Sequence, residues 1–202
     1  MDAVHRTGDA ATHSMMRLRS LVSSVVFLAA SASSGWSQFT PFCYGDGSSG
    51  PCPCGNISLP STGGCLNSLG SPGLLVASSP SGFARVTGDI LGIDRVTLTG
   101  SGMPNAACVY FQGSPVTPFQ FGDGIRCVNN PFQVQLGTRL NVGGTSFVGG
   151  APGPAISLQG ALATPLTAPI TMSYQCWYRN AAAFCTASTF NLTTGTAIAW
   201  VP

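Results

Sequence analysis

Eight cysteines downstream of an apolar leader constrain this chain more than any other feature. They stand at positions 43, 52, 54, 65, 108, 127, 176 and 185. Ahead of them, Arg17 and Arg19 precede the apolar run LVSSVVFLAA (21–30) and then the small-residue stretch SASSGWSQ. A basic start, an apolar segment of about ten residues and small residues beyond it make a secretory signal. Residues 1–37 are therefore read as a signal peptide, with cleavage after Ser37 and Ala30-Ser31-Ala32 offering an earlier site, and the protein as secreted, extracellular or held at the cell surface. The rival reading, an uncleaved anchor, meets a run well short of the ~20 apolar residues that a spanning helix needs. No later segment reaches that length, so no membrane span is expected in the mature chain. In an exported chain an even number of cysteines reads as a disulfide framework, although eight allow about 105 pairings.

Four of the cysteines crowd into residues 38–66 (QFTPFCYGDGSSGPCPCGNISLPSTGGCL) among prolines and glycines. That composition predicts a small disulfide-rich knot, held by cross-links more than by a core. Zinc is the competing use, but the Cys52-Pro53-Cys54 spacing and the lack of His after residue 37 disfavour it. Redox chemistry would want a two-residue spacer and a nearby positive charge to lower a thiol pKa. A bridge between Cys108 and Cys176 would join two strands, leaving Cys127 to pair with Cys185.

Residues 67–202 alternate short apolar runs with Gly, Pro, Asn and Ser turns. Strands are expected at 73–78, 83–87, 93–99, 107–112, 117–121, 132–136, 138–142, 145–148, 155–159, 169–178, 187–192 and 196–200. In PITMSYQCWY, Met172, Tyr174, Cys176 and Tyr178 share one face, with Ser173, Gln175 and Trp177 on the other. FQVQL alternates Phe132, Val134 and Leu136 with Gln133 and Gln135. FNLTTGTAIAW reads as a hairpin turning near Thr194-Gly195. Only NAAAFC (180–185) suggests a helical turn. Many short strands at about ten-residue spacing predict an all-β fold, an antiparallel β-sandwich or jelly roll over 67–202.

Several segments, taken together, resemble a family of secreted, cysteine-containing proteins of planctomycete-type bacteria. They are FCYGDGSSGPCPCGN, GCLNS, SGMPNAACVYFQG, FGDGIRC, YQCWYRNAAAFC and FNLTTGTAIAW, and they span about 42–200. The resemblance implies export and a bacterial origin, and adds no catalytic residue. It also implies that Cys108 and Cys176 are additional to the family's usual cysteines, as a matched pair would be.

Chemistry is limited by what the mature chain lacks. All eight cations are Arg and all six acids Asp, and both histidines lie within the first 14 residues. Residues 38–202 carry five Arg and four Asp, a net charge of 5 − 4 = +1. No Ser-His-Asp or Cys-His relay fits such a chain, and five scattered Arg make no nucleic-acid footprint. A polysaccharide hydrolase would have to use two of Asp46, Asp89, Asp94 and Asp123, which read more simply as turn or surface residues. No cofactor is expected, with calcium the one candidate. The aromatic-Gly-Asp-Gly echo offers Asp46 with Asn56, or Asp123 with Asn129 and Asn130, though calcium usually wants several carboxylates. Asn56-Ile57-Ser58 and Asn191-Leu192-Thr193 match the glycosylation pattern and are read as coincidences. Trp177, beside Gln175 and Arg179, has the makings of a flat sugar platform, unless a loop or second sheet covers it. The chain is thus read as a non-enzymatic extracellular module with a structural role. Carbohydrate binding is the alternative, with extracellular polysaccharide or cell-surface components as partners. So little charge also favours self-association.

Overall fold

The computed structural model describes residues 38–202, except 163, 164 and 183 and the side chains of 130–132. The expected leader, 1–37, lies outside the described residues. Eight strands are described: β1 (Phe39–Phe42), β2 (Leu74–Ser78), β3 (Thr97–Ser101), β4 (Ala107–Phe121), β5 (Gly124–Leu140), β6 (Ser146–Gly149), β7 (Ile170–Arg179) and β8 (Phe190–Trp200). They form two antiparallel sheets, one ordered β1-β8-β7-β4-β5 and the other β2-β3-β6. The fold is the all-β sandwich that the alternating strands predict.

The core lies between the sheets and follows the two-residue period of each strand. Leu75, Leu98 and Val148 of the small sheet meet Tyr110, Leu136, Met172, Tyr174, Tyr178, Ile198 and Trp200 of the large one. Burying each of these larger apolar side chains contributes on the order of 1.5–3 kcal/mol. Polar atoms of Tyr174, Gln112 and Trp200 brought into the core find partners in one another. Tyr174 Oη accepts hydrogen bonds from Gln112 Nε2 (2.7 Å) and Trp200 Nε1 (2.8 Å).

Two expected strands are helical instead. Residues 83–87 run into α1 (Val86–Leu91), and 155–159 contain α2 (Ile156–Gln159). Neither has the propensity or length to announce itself, and a buried carboxylate holds both. Asp89 in α1 accepts from Val96 N (2.8 Å), just before β3, and from Ser157 N (2.9 Å) in α2. The described part of 180–185 is turn and bend, not helix.

The hairpin expected in FNLTTGTAIAW is likewise absent, because β8 is continuous. Leu192 pairs with Trp177 and Gly195 with Gln175, so Thr193 and Thr194 together oppose Cys176 as a β-bulge. Thr193 Oγ1 accepts from Cys176 N (3.1 Å), and Thr194 Oγ1 accepts from Leu75 N (2.9 Å). Gly195 is needed for space, since a Cβ there would sit 2.6 Å from the Phe42 ring.

The disulfides also correct the sequence reading. They join Cys43 to Cys127, Cys52 to Cys65 and Cys54 to Cys185. Only one bridge closes within 38–66, so the bridges are not confined to an N-terminal knot; the other two clamp that segment onto the sandwich. Cys127 therefore does not pair with Cys185. Cys108 and Cys176 are free, buried thiols. Their register explains this: Cys108 lies opposite Tyr178, and Cys176 opposite Tyr110, so the two are diagonal rather than facing. Three disulfides fit an oxidising, non-cytoplasmic compartment. No helix among the described residues is long and apolar enough to cross a membrane.

Candidate functional site

The outer face of the five-stranded sheet is covered at one end and open at the other. At the covered end, Phe42, Cys43, Cys52 and Cys65 pack over Ile125 and Cys127. At the open end, pairing aligns Leu192 of β8, Trp177 of β7, Val109 of β4 and Thr138 of β5 in one row. The next row runs from Gln175 through Phe111 to Gln135. Residues of both rows floor a half-open trough of about 300 Å³.

Its wall is the far end of the β4–β5 hairpin. The two-residue turn Gly122-Asp123 pairs Phe121 with Gly124 and Phe119 with Arg126, so Phe121 and Arg126 project to the same side. Gly122 has φ +62°, and a Cβ on it would collide with the Phe190 ring. The hairpin end is tied down through Asp123, whose amide donates to Phe190 O (2.9 Å). Its carboxylate accepts from Asn180 Nδ2 (2.8 Å), Thr186 N (2.9 Å) and Thr186 Oγ1 (2.8 Å).

The side chains combine aromatic surface with hydrogen-bonding groups. Phe121 packs on Phe190 with ring centroids 5.0 Å apart, and Phe190 on Trp177 at 5.4 Å. The Arg126 guanidinium stands 5.4 Å from the Phe111 centroid and 5.0 Å from that of Phe121. Its Nε donates to Val128 O (3.0 Å) and its Nη2 to Gln133 Oε1 (2.6 Å). Burial against those rings pulls the Arg126 pKa below its usual value. Gln133 and Gln135 are exposed along the rim.

The residues singled out in the sequence divide. Trp177 is half-buried and lines the trough. Gln175 does not, because it is fully buried beneath the covered end. Its Oε1 accepts from Cys127 N (3.1 Å), and its Nε2 donates to Ile125 O and Thr193 O (both 2.9 Å). Those bonds consume both amide protons and cross-link three strands, leaving nothing to offer a ligand. Arg179 is exposed, 5.2 Å from the Trp177 ring centroid, and donates to Thr189 Oγ1 (2.8 Å). It caps the Trp outside the trough lining.

The two calcium candidates are separate sites with different surroundings. Asp123 is buried and spends its carboxylate on Asn180 and Thr186; Asp46 is half-buried and accepts from Ser48 Oγ (2.5 Å) and from Ser48 N and Ser61 N (both 2.9 Å). The Ser48 hydroxyl first, and then the Ser61 and Ser48 amides, lower the Asp46 pKa. Asn56 donates to Leu66 O (2.7 Å) and Asp123 O (2.9 Å), which makes it a strut beneath the hairpin end. Asn129 lies opposite Ser114 in the ladder, and the Asn130 side chain is outside the described residues. No group of three or more His, Cys, Asp or Glu placed to hold a metal occurs among the described residues. Asn191, in the second glycosylation pattern, is fully buried and donates to Leu66 O (3.1 Å).

Sequence reasoning missed Phe111, Phe121 and Arg126. A signal existed in FGDGIRC: read as a two-residue hairpin turn, it places Phe121 and Arg126 on one face. No protein-family model matches the chain, and comparisons with curated proteins and with solved structures return no match.

Proposed function

We propose that this is a secreted, non-enzymatic extracellular module that holds a carbohydrate in the trough beside Trp177. The observation that carries this reading is the composition of the trough. Trp177, Phe111 and Phe121 supply aromatic surface, and the exposed amides of Gln133 and Gln135 stand at its edge. A sugar ring needs that combination, an apolar face to lie on and uncharged polar groups to direct its hydroxyls. The volume, about 300 Å³, is at the small end for ligand sites and suits one or two sugar residues. A non-catalytic role is supported by the aspartates: Asp89 and Asp123 are buried in structural hydrogen bonds, and no Asp lines the trough.

The experiment is a binding screen of the oxidised protein against soluble and insoluble polysaccharides, with and without chelator, with Trp177→Ala alongside. Binding that falls about tenfold or more in the variant is expected. Binding unchanged in a folded Trp177→Ala variant would remove the trough as the site.

One observation favours the structural role as a second reading. Val76, Thr99 and Phe147 form a row across the outer face of the small sheet, with Val76 47% and Phe147 56% exposed. With a net charge of +1 over 38–202, little repulsion opposes a second copy meeting this face. Sedimentation should then show concentration-dependent association that a Val76→Thr/Phe147→Thr double variant abolishes. A monomer at all concentrations would reject it.

A further inference from the structure

We propose that the trough's ligand is an acidic sugar, a uronic acid within a polysaccharide, whose carboxylate is seated by Arg126. This rests on the carbohydrate reading above and names the substrate class of the same site. Arg126 is the one charged side chain in the lining. It is half-buried, and none of the four aspartates of 38–202 lies in the trough to neutralise it. A cation held among aromatic rings without a counter-ion is a standing cost that a bound anion relieves.

The guanidinium is also preorganised. Two of its five N–H groups are committed, to Val128 O (3.0 Å) and Gln133 Oε1 (2.6 Å), and the Phe111 and Phe121 rings flank it at 5.4 and 5.0 Å. Three N–H groups remain, and a planar donor fork matches the two oxygens of a carboxylate. A neutral sugar would use the aromatic floor and the glutamines but would leave the charge unanswered. Because Gln133 Oε1 accepts from Arg126, the Gln133 amide nitrogen is the end left for a sugar hydroxyl. Long-range attraction adds to the same preference, since the protein is nearly neutral and Arg126 has no acidic neighbour in the trough to cancel its field.

The test compares ligands of one skeleton. Oligogalacturonate and its fully methyl-esterified form are titrated into the oxidised protein at low and moderate salt. A sulfated neutral oligosaccharide and an acidic peptide run in parallel. The free acid is expected to bind about tenfold or more tighter than the ester, with salt weakening only the acid. Arg126→Gln should erase that difference. Gln133→Glu offers a check that leaves the aromatic stack and the hairpin intact, because it places a carboxylate against Arg126, and it too should erase the preference.

Equal binding of acid and ester would overturn the carboxylate assignment while leaving the carbohydrate reading in place. Stronger binding of the sulfated sugar would overturn the choice of carboxylate. No binding of any saccharide by folded protein would overturn both readings, as would Arg126-dependent binding of the peptide alone.

Discussion

Asp46 and Asp123 occupy matching motifs, an aromatic-Gly-Asp-Gly ahead of a cysteine, yet burial gives them different weight. Asp46 is half-buried and orders its own loop through Ser48 and Ser61. Asp123 is fully buried and satisfies donors from the β7–β8 connection, so the hairpin end and that connection hold one another. Asp123→Ala would leave the Asn180 amide and the Thr186 amide and hydroxyl without an acceptor, at a cost of about 3 kcal/mol. Urea unfolding of the oxidised protein should show that loss, with a much smaller one for Asp46→Ala. Equal losses would mean that the buried network does not carry the hairpin. Arg126 and Phe121 lie three residues or fewer from Asp123, so the same variant should also weaken any trough ligand.

At the scale of elements, strands whose alternation is long and regular were legible. In β7, Met172, Tyr174, Cys176 and Tyr178 face the core and Trp177 faces away, as a two-residue period requires. What was not legible depended on partners distant in sequence. Thr194-Gly195 has the composition of a turn, but Phe42 and Leu75, more than 100 residues earlier, make it a bulge within a straight strand. The six-residue α1 exists because Asp89 bonds Val96 and Ser157. In the trough, one floor residue, Trp177, could be read from its own strand, and FGDGIRC could set Phe121 beside Arg126, whereas bringing that pair over Phe111 required the β4–β5 register. Disulfide pairing is the same kind of information. Cys43–Cys127 and Cys54–Cys185 close 84- and 131-residue separations, and Cys52–Cys65 closes 13. In the chain-entropy model, whose mechanism is disputed, the long loops are worth roughly 4–5 kcal/mol each and the short one roughly 3. Replacing Cys54 and Cys185 together by Ala should therefore lower stability more than replacing Cys52 and Cys65. Cys108 and Cys176 belong to the core instead. A hydrogen bond with Cys176, with help from Ser146, brings Cys108 down to about 7, and burial pushes Cys176 up. Neither exposes surface. Alkylation followed by mass mapping should label neither thiol in native protein and both once it is unfolded without reductant. Labelling of none after unfolding would reveal a fourth bridge.

The whole molecule joins two sheets through a core unusually rich in phenols, and this sets its behaviour in alkali. Three of the four tyrosines, Tyr110, Tyr174 and Tyr178, are fully buried between the sheets. Burial pushes all three hydroxyls well above the ordinary value of 10. Below pH 10 the phenols are protonated in folded and unfolded chains alike, so their contribution to stability is fully present. Above it the unfolded chain ionises while the folded one does not, and that contribution is lost as pH rises toward the folded values. Three such groups give a slope of about 4 kcal/mol per pH unit, enough to open a domain of ordinary stability within two or three units. Alkaline titration should therefore show one cooperative transition in which tyrosinate absorbance and loss of near-ultraviolet dichroism coincide. Disulfide integrity would be checked afterwards, because thiol exchange accelerates in alkali. Tyr174→Phe removes one of the three groups and should make the slope shallower by about a third, even though it strands Gln112 Nε2 and Trp200 Nε1 and lowers stability at neutral pH. If the three phenols ionised one by one before the dichroism changed, the sheets would be admitting water and hydroxide while still packed. The core between them would then be a looser structure than its buried side chains indicate.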